Sequence, residues 1–206
     1  MSHTAVLPES DTAIPPYPAR RVWLTAACAA GGAGIVATSV PFVVSMAPSE
    51  RARALGAPVE IDVEPIKPGE LRTVEWRGKP VWVLRRSTDM LATLRSHDDL
   101  LSDPQSGRRG QQPDYARNDL RSVKPDISVL VAICTHLGCI PTFRPEPGAA
   151  DIGASWPGGF YCPCHGSKFD FAGRVFKNVP APSNLEVPPH HYTGESTLLI
   201  GEGPRA

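Results

Sequence analysis

Two short segments, Cys134-Thr135-His136-Leu137-Gly138-Cys139 and Cys162-Pro163-Cys164-His165-Gly166-Ser167, constrain this 206-residue chain more than any other feature. Each offers a Cys and a His within three residues, plus a second Cys. A fold that uses them must bring two loops face to face on a rigid scaffold. Two sulfur and two nitrogen donors suit a tetrahedral zinc, or a pair of irons bridged by sulfide, and the residue types alone leave both open. Five Cys in all are too few for a small disulfide scaffold. The fifth, Cys28, reads as a small apolar residue.

Composition narrows the rest. Twenty-one basic and 21 acidic residues give zero formal charge, which excludes a nucleic-acid partner held by a general basic field. Pro (23) and Gly (18) together favour short strands and loops over long helices. Residues 1–19, with four Pro, read as a mobile tail. From Val22 to Ala47 no residue is charged, a run of 26 that spans ~39 Å as a helix and can cross a bilayer core of ~30 Å. It opens on a twin-arginine-like Arg20-Arg21, and Pro41 is expected to kink it near its outer end. A cleaved export signal ending at Ser45-Met46-Ala47 is the competing reading; the run exceeds the usual ~7–15-residue apolar core of a signal. The anchor is therefore placed at 20–47 and a linker of small and polar residues at 48–58.

From residue 59 the patterns are those of strands. Val59, Ile61 and Val63 alternate with polar neighbours, Val81 to Leu84 form an apolar run, and Trp76-Arg77-Gly78-Lys79 between two such segments predicts a hairpin turn. Ser87 followed by Thr88-Asp89-Met90 predicts an N-capped short helix. Residues 102–126 read as surface loops. Ile127–Ile133 is the most strongly buried strand signal, and Thr197–Ile200 a closing strand. The Pro- and Gly-rich stretch from Pro141 to Gly159 reads as a connector, a candidate partner-facing loop.

The two Cys-His segments resemble the cluster-binding boxes of the Rieske iron-sulfur family, in its disulfide-containing, quinol-oxidising branch. Over residues 18–201 the arginine-pair anchor, the linker, EIDVEPIKPGELRTVEWRGKPVWVLRR and the later VPAP are similar to bacterial iron-sulfur subunits of ubiquinol-cytochrome c reductases. The resemblance implies an all-β fold: an antiparallel β-sandwich-like Rieske domain over 59–206, with an inserted cluster-binding part at about 134–182, preceded by one transmembrane helix. It implies one 2Fe-2S cluster, with Cys134 and Cys162 on one iron, His136 and His165 on the other, and a Cys139–Cys164 bridge. Neutral imidazoles in place of two thiolates remove negative charge, which moves the potential into the range of about −150 to +300 mV.

The same resemblance assigns roles. His136 and His165 are the catalytic pair, one accepting the quinol hydrogen as proton plus electron. Ser167 donates to a cluster sulfur, Leu137 with Gly138 forms the tip that docks at the quinol pocket, and Pro180 belongs to the proline loop that covers the cluster. Two departures stand out: Phe169 replaces a Tyr that donates to a ligand sulfur, implying a lower potential, and Val179 stands where Gly usually precedes the first Pro. The implied function is to take one electron from quinol at a cytochrome b subunit and pass it to a c-type cytochrome subunit, contributing to proton translocation. The chain does no catalysis alone. The implied setting is a dimeric complex in the bacterial inner membrane, with the cluster domain on the periplasmic side. Two alternatives are an exported soluble Rieske subunit of another oxidoreductase and a structural zinc module that binds partners.

Overall fold

The computed structural model describes residues 18–50, 54 and 56–204. The expected tail thus lies outside the described residues except for Pro18 and Ala19, as do linker residues 51–53 and 55. The chain divides into two units, 1–49 and 50–206.

The first unit is one helix, α1 (Pro18–Ser45), running through Pro41. It is ~42 Å long by its 28 residues, sufficient to cross a membrane. Its hydroxyls return to the helix's own backbone: Thr38 donates to Gly34 O and Ile35 O, Ser39 to Ile35 O, and Ser45 to Phe42 O. Such bonds leave no free polar group for an apolar surrounding. In the linker, Glu50, Ala54 and Gly56 are helical.

The second unit holds three antiparallel three-stranded sheets. In chain order the strands are β1 (Val59–Asp62), β2 (Leu71–Trp76), β3 (Lys79–Arg85), β4 (Ile127–Val131), β5 (Thr142–Arg144), β6 (Gly159–Cys162), β7 (Ser167–Phe169), β8 (His190–Tyr192) and β9 (Thr197–Ile200); helix α2 (Thr88–Thr93) follows β3. The sheet orders are β1-β9-β8, β2-β3-β4 and β5-β6-β7. The first two form the base and the third the cluster lobe. β9 pairs with β1 and β8, not with β4, so it closes the outer sheet.

The central sheet is buried on both faces, which is why Val81 to Leu84 of β3 and all of β4 but Ser128 read as apolar runs. Val81, Val83, Ile127, Val129 and Val131 meet Leu198 and Ile200 on one face. Trp82, Leu84, Leu130 and Ala132 meet Phe160, Phe169 and Phe171 of the lobe on the other. Each such side chain contributes about 1.5–3 kcal/mol of apolar burial. Trp82 stacks on Phe160 with ring centroids 4.6 Å apart, joining base to lobe. The β2–β3 hairpin closes on Arg77 and Gly78, both left-handed (φ 54° and 70°), the two-residue turn that matches strand twist. Ser87 caps α2 as expected, its Oγ accepting from Met90 N at 3.3 Å.

The 102–126 segment departs from its reading as surface loops. It is irregular, with a 3-10 turn at Asp114–Ala116, yet Ser106, Gln112, Ala116, Arg121 and Ser122 are buried. Polar residues go inside here because each is hydrogen-bonded there.

Candidate metal centre

Box 1 leaves the buried end of β4, and box 2 joins β6 to β7. Both adopt the same turn. Gly138 N donates to Cys134 O at 3.0 Å and Gly166 N to Cys162 O at 2.9 Å. The two glycines have φ of 81° and 77°, a backbone that side-chain-bearing residues rarely adopt. Cys134 N donates to Cys139 O at 2.7 Å, fixing the second Cys of box 1, and Cys139 is disulfide-bonded to Cys164 of box 2. The bridge locks the two loops face to face.

This leaves two free thiols and two imidazoles in the boxes. Cys134 and Cys162 are buried, 3% and 1% exposed, while His165 is exposed and His136 half-buried. The His136 and His165 rings meet edge to face with centroids 4.7 Å apart. His136 Nδ1 is buried without a hydrogen-bond partner, an inward lone donor atom of the kind a metal satisfies. Burial pushes the Cys162 thiol up in pKa, with Cys134 beside it acting the same way, while the backbone N–H groups of Cys164 and His165 bond to it and oppose the rise. The Cys162 sulfur lies within 4.8 Å of both bridge sulfurs, but only Cys162 of the three is free to bind metal. The donor set fits a cluster of two irons with thiolates below and imidazoles at the surface.

A cover loop closes one side. Ala181 N donates to the buried Ser167 Oγ at 3.0 Å, and Thr135 Oγ1 donates to Ser183 O at 2.7 Å, so each box grips the loop through a hydroxyl. Accepting from Ala181 leaves the Ser167 proton free to donate. Ala181 is buried between exposed Pro180 and Pro182. Asn178 takes φ 59° and turns the chain before Val179. Phe169 is fully buried and carries no hydroxyl. Leu137 is 71% exposed and Ile140 58%, an apolar tip beside the imidazoles.

Behind the boxes lies a polar brace that the sequence reading missed. Asp170, fully buried, accepts from Ala172 N, Arg174 N and Arg174 Nε, and lies 3.6 Å from His97 Nε2. Burial works against its charge, but the nearby His97 ring and the charge and hydrogen bonds of Arg174 outweigh it and hold the carboxyl below its usual range. Arg174 also pairs with Asp98 at 2.7 Å and donates to Leu94 O at 2.6 Å, tying the lobe to the end of α2. The Asp-Phe-Ala-Gly run at 170–173 was a turn signal for this hairpin; Arg121 and Arg174 gave none.

The chain is similar to known proteins over most of its length. Residues 58–189 match the Rieske [2Fe-2S] domain family. The ubiquinol-cytochrome c reductase iron-sulfur subunit of Allochromatium vinosum is 58% identical over 183 residues, covering 89% of this chain and 88% of that one. Its counterpart in Blastochloris viridis is 40% identical over 196 residues, covering 94% and 97%. Among solved structures, a chain of a hyperthermophilic respiratory Complex III is 30% identical, with a TM-score of 0.45, covering 86% of this chain and 98% of that chain.

Proposed function

This chain belongs to the Rieske 2Fe-2S family, with its similarity to iron-sulfur subunits of ubiquinol-cytochrome c reductase running along most of its length, and on that premise we propose that it takes an electron and a proton from quinol at the His136–His165 surface. Cys134 and Cys162 would hold one iron and His136 and His165 the other. When bound, the cluster supplies a one-electron acceptor of high potential.

The observation that carries the reading is the placing of the four free donors: thiols buried, imidazoles together at the surface, and the loops pinned by Cys139–Cys164. His136 turns Nδ1 inward, which leaves Nε2 as the titrating ring nitrogen; once it has lost its own proton it accepts a hydrogen bond, and then the proton, from a quinol hydroxyl. Reduction adds negative charge beside the imidazoles and raises their affinity for the proton. Leu137 and Gly138 supply the apolar tip that seats against a cytochrome b quinol pocket and excludes water there. Ser167 would donate its free proton to a cluster sulfur, and Pro180 would shield the cluster. A c-type cytochrome subunit receives the electron after the domain moves on the 48–58 linker, within a dimeric complex. α1 serves as the single membrane anchor, and the disulfide favours an oxidising, periplasmic side.

A redox titration of the purified protein from pH 6 to 10 tests this. The midpoint is expected to fall as pH rises, and a midpoint flat across that range overturns the proton coupling. Because buried Phe169 offers no donor to a ligand sulfur, Phe169→Tyr is expected to raise the midpoint in the same titration; an unchanged or lower value removes that role for the position.

A further inference from the structure

We propose that the Arg121 guanidinium is a fixed positive charge that favours the reduced cluster, making Arg121 a potential-setting residue of this protein although it touches no ligand. The inference rests on the ligand reading above. Arg121 is fully buried and left-handed (φ 51°), a backbone that a long side chain adopts only where its surroundings hold it.

Every partner of its guanidinium is uncharged. Nη1 donates to Ala172 O at 3.0 Å and Gly173 O at 3.3 Å; Nη2 donates to Leu185 O at 2.7 Å, Gln112 Oε1 at 3.1 Å and Gln111 O at 3.4 Å. Among the described residues no carboxylate pairs with it. Asp170 and Asp103 act on it only through space, and Asp170 is already engaged by Arg174. Burial pulls its pKa down to about 10, so it stays charged at neutral pH.

A buried guanidinium held only by neutral oxygens keeps its charge unneutralised by direct pairing, so it acts through space on any group in the same core whose charge changes. Ala172 and Leu185, whose carbonyls it holds, belong to the same apolar core as Cys134 and Cys162, a surrounding of low dielectric in which charges act over longer range than in water. Two ferric ions, two sulfides, two thiolates and two neutral imidazoles sum to zero charge, and one added electron makes the sum −1. Arg121 thus gains attraction only on reduction. Arg86, also buried and bonded only to Leu120 O and Ser122 Oγ, adds to the same field; Asp98, paired with Arg174, opposes it.

The test is a redox titration of full-length Arg121→Gln, Arg121→Lys and Asp98→Asn, each followed by its electron paramagnetic resonance spectrum. With the cluster spectrum retained, Arg121→Gln is expected to lower the midpoint and Arg121→Lys to hold it nearer the parental value. A parental or higher midpoint in Arg121→Gln, or an equal fall in both Arg121 variants, overturns the proposal in favour of a packing role. If Arg121→Gln binds no cluster, Asp98→Asn decides: an upward shift supports the proposal, and no shift or a downward one overturns it. Absence of a Rieske-type spectrum in the parental protein refutes the ligand reading instead.

Discussion

The base and the cluster lobe are built of the same strands and held by different forces. In the base, Val81, Val83, Ile127, Val129, Val131, Leu198 and Ile200 interlock between two sheets, and stability follows from apolar area. The lobe's three strands run to only three or four residues each. Its shape is set by a disulfide, two glycine turns, hydroxyl grips at Ser167 and Thr135, and a buried Asp170–Arg174 pair. A metal centre needs its donors fixed in direction, and directional bonds and a covalent tie achieve that where area cannot.

The sharpest way to break this comparison is to remove the tie. Cys139→Ala with Cys164→Ala opens a loop of 25 residues, and in the chain-entropy picture costs about 3.5 kcal/mol. The loss is expected to fall on the lobe: faster bleaching of the cluster's visible absorption, with the amide protection of β3 and β4 retained. Equal loss of protection in β3 and β4 would merge the two regions into one.

The same division explains what could be read in advance. Base elements carry local signals: Ile127–Val131 as an apolar run broken only by Ser128, the Arg77-Gly78 turn and the Ser87 cap all lie where their residues place them. The boxes were legible through residue type and spacing. What escaped was the brace, because a buried Arg looks in sequence like an exposed one: Arg121 and Gln112 sit in a stretch whose polarity reads as surface, and their carbonyl partners are more than fifty residues away or on neighbouring turns. Asn178 escaped because a left-handed turn accepts Asn as well as Gly.

Acid should separate the regions next. Burial lowers the pKa of His190 on β8 below its ordinary 6.5, so the folded base resists a proton that the unfolded chain accepts. The stability this contributes is present above pH 6.5 and is lost as pH falls from there through the folded value, by at most about 1.4 kcal/mol per pH unit. Asp170 in the lobe has its pKa depressed below 3.8, so its contribution survives until far stronger acid. Hydrogen exchange at pH 5 is therefore expected to quicken in β1, β8 and β9 before β5, β6 and β7, and His190→Gln to abolish the difference from pH 7. Uniform quickening would place the acid-sensitive group elsewhere.

The smallest change tests the seam. Ser87 Oγ accepts from Met90 N at the start of α2, and the far end of that helix offers Leu94 O to Arg174 of the lobe. Losing an N-cap costs about 1 kcal/mol, so Ser87→Ala is expected to lower global stability in denaturant titration by about that amount. The midpoint of the cluster should not move. Arg174 is also held by Asp170 and Asp98, and two ion pairs outweigh one carbonyl in setting where its charge sits. A midpoint shift in Ser87→Ala would mean that the end of α2 positions Arg174 after all, and that base and lobe share their electrostatics as well as their Trp82–Phe160 contact.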